Sequence, residues 1–113
     1  MKYFFALLPL LAACSGTNES KLKQVATLTL KEVSGLEYVN NTLWALEDSG
    51  NKNKIYKIAP DGTIAGTVTI PQKNIDWEDI AADSQGNLYI GDFGNNENQR
   101  KDLVIHKLAA NKP

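Results

Sequence analysis

The chain has 113 residues, enough for one domain, and its 12 basic and 13 acidic side chains give a formal net charge of −1. The basic side chains form no stripe along the sequence, so we expect no nucleic-acid partner. Cys14 is the single cysteine, which excludes a disulfide bond within the chain.

The first 13 residues have the pattern of an export signal. A lysine near the start is followed by an apolar run that is too short to span a bilayer. We therefore expect residues 1–13 to be a signal peptide that is removed on export.

The signal ends in "LAAC", small residues directly before Cys14. This arrangement resembles the lipobox of bacterial lipoproteins, and the resemblance implies cleavage before Cys14 and acylation of that residue. Several acyl chains hold a protein on a membrane more firmly than one chain does. Ser15 matches the default sorting of such lipoproteins, so the expected location is the bacterial outer membrane or cell surface, facing the periplasm or the exterior. The alternatives are an ordinary signal peptide with a chance cysteine and an N-terminus that is merely apolar.

The remainder of the chain predicts a short tether and then strands. Residues 14–23 are small and polar, which is typical of a flexible tether. Beyond them, short runs of alternating apolar and polar side chains are separated by turn sequences such as "NN", "PDGT" and "DSQG". No segment after residue 20 has a helical period. The fold class is therefore predicted to be all-β, with strands at 24–30, 33–39, 42–47, 54–58, 63–70, 77–82, 87–92 and 103–108.

The strands also repeat. "LWALEDSGN" matches "LYIGDFGN" with one residue deleted, which places Asp48 and Asp92 44 residues apart. Repeats of roughly 40–50 residues are typical of propeller blades with four antiparallel strands. We expect residues 24–113 to form about two blades of a propeller. A propeller of six blades needs roughly 260 residues. Strand 24–30 is expected to close the ring as the outer strand of the last blade. The alternative is a self-contained β-sandwich or sheet.

Five stretches carry a family resemblance: "SGLEYVNNTLWALEDSGN", "IYKIAPDGTI", "DWEDIAAD", "LYIGDFGNN" and "RKDLVI". Together they resemble exported bacterial propeller proteins of the NHL-repeat, gluconolactonase-like and phytase-like group, over residues 33–108. The resemblance implies the fold more firmly than it implies an activity. Some members of the group bind a calcium ion in the central channel and hydrolyse lactones or esters, and others only bind.

Polar residues in three segments predict a site at one end of the fold. In a four-stranded meander, the loop after the second strand returns to the end at which the chain enters the first strand. Segments 48–51, 74–79 and 92–96 are therefore expected together, and their oxygen atoms suit Ca²⁺. The alternative is that these side chains only cap loop backbone groups. The candidate metal- or ligand-binding residues are Asp48, Asn51, Asp76, Glu78, Asp79, Asp92, Asn95 and Asn96.

Three further side chains have proposed roles. Trp77 is a candidate platform on which a sugar ring could stack, with core packing as the alternative. His106 is the single histidine, and its strand position predicts packing or a solvated face rather than a catalytic base. Arg100 is expected to pair with Asp92 or Glu97 and to hold the intervening loop.

These features favour a lipid-anchored binding module outside the cytoplasm. Its partners would be the membrane, through Cys14, and a small-molecule or protein ligand. One alternative is a calcium-dependent hydrolase of a lactone, ester or phosphoester, with Glu78, Asp92 and Asn95 on the metal. Another is an inactive, truncated fragment. The ligand set is incomplete, so no catalytic residue is predicted.

Overall fold

The computed structural model of the chain describes residues 20–110, and these form antiparallel strands without a helix. The all-β prediction is confirmed. Over those same residues, nothing has the length and apolar character of a membrane-crossing helix. The strands are β1 (Val33–Val39), β2 (Thr42–Glu47), β3 (Lys54–Ile58), β4 (Ile64–Thr69), β5 (Trp77–Ala82), β6 (Leu88–Asp92) and β7 (Val104–Leu108). Their bounds match the predicted ones to within one residue.

The first sheet is a meander in the order β1-β2-β3-β4. Asn40 and Asn41 join β1 to β2 with φ angles of 49° and 56°. Two consecutive left-handed residues make the type I′ turn whose twist suits a hairpin, and asparagine tolerates this conformation better than most residues. Gly62, with φ of 89°, allows the corresponding turn between β3 and β4.

The second sheet has the order β5-β6-β7, and its first turn is organised by Asp83. The Asp83 carboxylate accepts hydrogen bonds from the Asn87 side chain at 2.7 Å, from the Gln85 and Asn87 amides at 3.0 Å and from the Tyr89 hydroxyl at 2.9 Å. These bonds, that from the Asn87 side chain above all, lower the pKa of Asp83 to about 2. The turn is therefore held by a carboxylate in its charged form.

The two sheets pack face to face around one core. Its buried side chains come from both sheets and are Leu46, Ile55, Ile70, Trp77, Ile80, Leu88 and Ile90. The first strands of the two sheets lie close together at Gly35, where an added Cβ would lie 3.0 Å from the Ile80 amide nitrogen. Beside it, the Ser34 hydroxyl donates to the Trp77 carbonyl at 2.8 Å. The pair β1 and β5 is thus the seam between the sheets.

The second sheet repeats details of the first. The register of the first strand shifts after Val33 in one sheet and after Trp77 in the other, 44 residues later. A lysine on the third strand lies over a ring on the second in both sheets: Lys57 over Trp44 at 5.3 Å, and Lys107 over Tyr89 at 5.4 Å. The sequence repeat therefore corresponds to a repeat of structure.

In both sheets, the second strand ends in a buried acidic side chain. This side chain accepts a hydrogen bond from a backbone amide in the segment before the first strand of the same sheet. Glu47 accepts from the Lys31 amide at 2.9 Å, and Asp92 accepts from the Asp76 amide at 3.1 Å. The structural counterpart of Asp92 is thus Glu47, whereas the sequence alignment pairs Asp92 with Asp48. Val33 pairs with Glu47 and Trp77 pairs with Asp92, so the first hairpin is one residue longer in the second sheet, and this explains why the structural pairing differs from the sequence alignment.

The predicted strand at 24–30 is wrong. Over the described residues, this segment belongs to no sheet. Leu28 and Leu30 instead pack on the far face of the first sheet, against a second cluster of Ala45, Tyr56 and Ile58. The Thr27 carbonyl lies against Gly62, in the turn before β4. The alternating apolar residues are therefore used for packing, and the backbone finds no strand partner.

Several predictions concern residues outside those the structure describes. These are the signal peptide at 1–13, the lipidated Cys14 and the part of the tether before Ser20. The rest of the tether, from Ser20 to Lys23, is exposed and lies outside any strand.

Candidate functional site

Three carboxylates meet at the end of the molecule where β2 finishes and β5 begins. Asp48 follows β2 in the first sheet, whereas Asp76 precedes β5 and Glu78 lies within it in the second. One oxygen from each residue lies within 4.8 Å of the others, and all three side chains are half-buried. The site is therefore shared by both sheets and depends on how they pack.

Asn74 ties the two sheets together beside this cluster. Its buried side-chain amide donates to the carbonyls of Glu47, at 2.9 Å, and Asp48, at 3.0 Å. Its side-chain oxygen accepts from the Trp77 amide at 3.1 Å. Sequence reasoning missed this residue. Its place three residues before Trp77, where an Asn side chain can cap a strand entry, is the signal that could have identified it.

Gly94 makes room for one of the three acids. A Cβ at this position would overlap the Asp76 carboxylate, and the Gly94 amide donates to the Asp76 carbonyl at 3.0 Å. The loop after β6 therefore forms a floor beneath the Asp76 side chain.

The cluster is electrostatically unfavourable when all its members are charged. Burial, followed by a hydrogen bond and charge repulsion from Asp48, raises the pKa of Asp76, against smaller opposing effects of Ser49 and Arg100. Burial and the charges of Asp48 and Asp76 raise the pKa of Glu78. A cation at this point would offset the repulsion.

Asp92 has a different role from the cluster. It is 1% exposed, and its Oδ1 accepts from the Asp76 amide and from Arg100 Nη1 at 2.9 Å. Its Oδ2 lies 3.8 Å from His106 Nε2 and has no hydrogen-bond partner among the described residues. The predicted pairing of Arg100 with Asp92 is confirmed, and it fixes the loop between them.

The amide candidates hold loops together. Asn95 accepts from the Arg100 amide at 2.9 Å and so closes the loop after β6. Asn51 donates to Glu32 at 3.0 Å and to the Asp48 carbonyl at 3.2 Å, in the loop after β2.

The other candidates differ from the three carboxylates in their exposure or their contacts. Asn96 and Asp79 are exposed, and an Asp79 oxygen accepts from the adjacent Ile80 amide at 2.8 Å. Trp77 is fully buried in the core, with no exposed face on which a sugar ring could stack. Of the residues singled out from the sequence, Asp48, Asp76 and Glu78 are therefore the carboxylates that the fold brings together.

The chemistry of this cluster matches a hard divalent cation. Ca²⁺ and Mg²⁺ prefer oxygen ligands such as carboxylates, whereas zinc sites include Cys or His side chains, which this cluster lacks. Calcium takes six to eight oxygens, so three carboxylates would leave positions for water, backbone carbonyls or a ligand.

Comparison with known proteins adds no relative: no family model, no curated protein and no solved structure matches the chain.

Proposed function

We propose that this chain is a lipid-anchored binding module of the bacterial cell envelope that holds a divalent cation on Asp48, Asp76 and Glu78. The observation that carries the proposal is the convergence of these three carboxylates from two different sheets. Burial and then their mutual repulsion raise the pKa of Asp76 and of Glu78, and a bound cation would offset that repulsion.

The proposed architecture is part of a β-propeller. The repeated register shift, the repeated lysine–aromatic pairs and the face-to-face packing of two meanders support it. In a propeller, loops at one end of successive blades surround a common entrance, and the candidate site lies among loops of this kind.

The ligand that we propose carries negative charge. Asn51 and Asn74, which both donate to the Asp48 carbonyl, line a cleft of about 370 Å³ that Lys52 and Lys73 also line. A carboxylate or phosphate group would complete the coordination of the cation and pair with these lysines.

The proposed anchor is Cys14, and the support for it is the sequence pattern at residues 11–14. An acylated Cys14 would hold the module on the outer membrane or the cell surface, with the tether up to Lys23 between the lipid and the fold. Radiolabelled palmitate should enter the wild-type chain and not Cys14→Ser. Equal labelling of both chains would contradict the anchor.

The hydrolase alternative has less support. The Ser34 hydroxyl donates to the Trp77 carbonyl, and His106 lies against Asp92 on the third strand of its sheet. Asp92, which this alternative places on the metal, is paired with Arg100. We therefore propose binding rather than catalysis for the site.

Thermal unfolding of the full chain with and without Ca²⁺ tests the cation site. We expect Ca²⁺ to raise the Tm of the wild type, since a ligand at 100 times its Kd adds about 2.7 kcal/mol to the free energy of unfolding. In the absence of Ca²⁺, Asp76→Asn should unfold at a higher temperature than the wild type. On addition of Ca²⁺, its Tm should rise much less than that of the wild type. Glu37→Gln, an acid of β1 outside the cluster, is the control. Equal responses of all three chains would contradict the proposal.

A further inference from the structure

The two buried acids that end β2 and β6 differ in the bonding of one carboxylate oxygen. In the first sheet, Glu47 accepts from the Lys31 amide through Oε1 and from the Tyr56 hydroxyl, at 3.0 Å, through Oε2. In the second sheet, Asp92 accepts from the Asp76 amide through Oδ1, whereas its Oδ2 has no hydrogen-bond partner within residues 20–110. Because a buried carboxylate oxygen without a donor is unfavourable, the second sheet has a place for a hydrogen-bond donor beside Oδ2.

The internal repeat puts His106 in the position that Tyr56 holds in the first sheet. Tyr56 pairs with the residue two positions before Glu47. His106 pairs with the residue two positions before Asp92. Side chains at such diagonal positions lie on one face of a sheet and within reach of each other, and His106 Nε2 lies 3.8 Å from Asp92 Oδ2. The repeat therefore provides a candidate donor for Asp92.

A small movement of the histidine would complete this bond. A separation of 3.8 Å is too long for a hydrogen bond, which needs about 2.7–3.2 Å between nitrogen and oxygen. His106 is 23% exposed and lines a cleft of about 240 Å³ together with Gln72, so its ring is not enclosed on all sides. Asp92, in contrast, is held by Arg100 and by the Asp76 amide. The closing movement is therefore one of the imidazole ring.

Asp92 connects His106 to the candidate cation site. Its Oδ1 accepts from the Asp76 amide at 3.1 Å, where the chain enters β5, and the Asp76 side chain is one of the three clustered carboxylates. A carboxylate with donors on both oxygens is less free to rotate than one with donors on a single oxygen. Partners outside the ligand shell orient metal ligands in this way.

We propose that His106 is a positioning residue of the cation site. Its Nε2–H donates to Asp92 Oδ2, as the Tyr56 hydroxyl donates to Glu47. This bond fixes the carboxylate that holds the Asp76 amide, and so it holds Asp76 in the cluster. The effect on the site rests on the proposed cation binding, whereas the hydrogen bond itself forms without a cation. The two parts can therefore be tested separately.

NMR of the nitrogen-labelled full chain in EDTA, near pH 7, tests the hydrogen bond. We expect the proton of His106 on Nε2, in slow exchange with water. In Asp92→Asn, the side-chain oxygen should keep the bonds from Arg100 and the Asp76 amide, so its NH₂ group should face His106 and move the proton to Nδ1. A wild-type proton on Nδ1 or in rapid exchange would overturn the proposal, as would a proton that stays on Nε2 in folded Asp92→Asn.

Two substitutions of His106 separate hydrogen bonding from packing. His106→Gln keeps an N–H donor at a similar reach, whereas His106→Leu keeps the bulk and removes the donor. In urea unfolding with EDTA, His106→Leu should lower the midpoint, because it leaves Asp92 Oδ2 without a donor, and His106→Gln should keep most of the wild-type value. Tyr56→Phe, which removes the equivalent donor of the first sheet, should also lower the midpoint. If His106→Leu is at least as stable as His106→Gln, the proposal is wrong.

Calorimetric titration of the same chains with Ca²⁺ tests the effect on the site. The Kd of His106→Leu should be about tenfold higher than that of the wild type, the lower end of what loss of a partner outside the ligand shell costs. The Kd of His106→Gln should be close to that of the wild type. Tyr89→Phe is the matched control, since it breaks a bond to Asp83 at the opposite end of the same sheet.

The same titration separates the two proposals. A wild type that binds no Ca²⁺ would contradict the proposed function and, with it, the role of His106 in the site. Binding by the wild type together with an unchanged Kd in His106→Leu would overturn the role of His106 alone.

Discussion

At the scale of single residues, acids close together in the sequence have different roles because the fold gives them different neighbours. Asp92 is buried against Arg100, whereas Asp76 shares the cluster with Asp48 and Glu78. Sequence analysis could name all four as oxygen ligands. It could not separate the loop anchor from the cluster, because burial and hydrogen bonding are properties of the packed sheets.

Gly94→Ala should weaken cation binding without removing a carboxylate. The added Cβ would overlap the Asp76 side chain and displace it from the cluster. Calorimetric titration with Ca²⁺ should give at least a tenfold higher Kd. Gly66→Ala is the matched control, because its Cβ would meet only Lys57 Cδ, at 3.6 Å. If both variants keep the wild-type Kd, Asp76 is not a ligand.

The pH dependence of the Asp76→Asn effect follows from the raised pKa. Between the usual carboxyl pKa and the raised one, the folded chain binds more protons than the unfolded chain, so the free energy of unfolding falls as pH rises. The stabilisation from Asp76→Asn, measured by urea unfolding in EDTA, should therefore be largest near pH 7. It should shrink as pH falls towards about 4. A stabilisation by Asp76→Asn that does not change with pH would contradict a raised pKa of Asp76.

The contribution of Asp83 to the free energy of unfolding should change with pH in the opposite direction. Its pKa is lowered to about 2, so its contribution to the free energy of unfolding is complete above the usual value and disappears as pH falls from about 4 to about 2. Asp83→Ala should lower the urea midpoint at pH 7, and most of the loss should vanish near pH 2. A constant loss over this range would show that the charge of Asp83 does not hold the turn.

At the scale of elements, local sequence predicted the strands well where packing and turns agreed. The run "NNT" supplied the left-handed residues of a hairpin, and the alternation on either side set its register. Segment 24–30 alternates just as clearly and forms no strand among the described residues. Alternation indicates that one face can be buried, but a strand also needs a partner for its backbone groups.

Gly35→Ala tests the seam between the sheets. The new Cβ would lie 3.0–3.2 Å from backbone atoms of Asp79 and Ile80, which cannot move aside as a side chain can. Urea unfolding should show a loss of about 1–3 kcal/mol, as for other overpacked cores. Gly66→Ala in β4 should change the stability much less. Equal losses of stability in the two variants would contradict the close contact at Gly35 and would indicate an effect common to glycines in strands.

At the scale of the whole molecule, the repeat in the sequence predicted the repeat in the structure. Its alignment was off by one residue at the end of the second strands, because the first hairpin is one residue longer in the second sheet and Glu47 rather than Asp48 takes the place of Asp92. The convergence of Asp48 with Asp76 and Glu78 required the packing of one sheet on the other. The predicted strand topology was enough to expect the three loop segments at one end of the molecule. Which acidic side chains meet there depends on how the two sheets pack.

The central claim is that these three carboxylates form one cation site, and calorimetric titration of the full chain with Ca²⁺ tests it most directly. The account predicts one bound ion per chain for the wild type. It predicts at least a tenfold weaker binding for Asp48→Asn, in the first sheet, and for Glu78→Gln, in the second, with Glu37→Gln unchanged. The absence of a binding signal in the wild type would contradict it. Weaker binding in only one of the two variants, Asp48→Asn or Glu78→Gln, would contradict it as well.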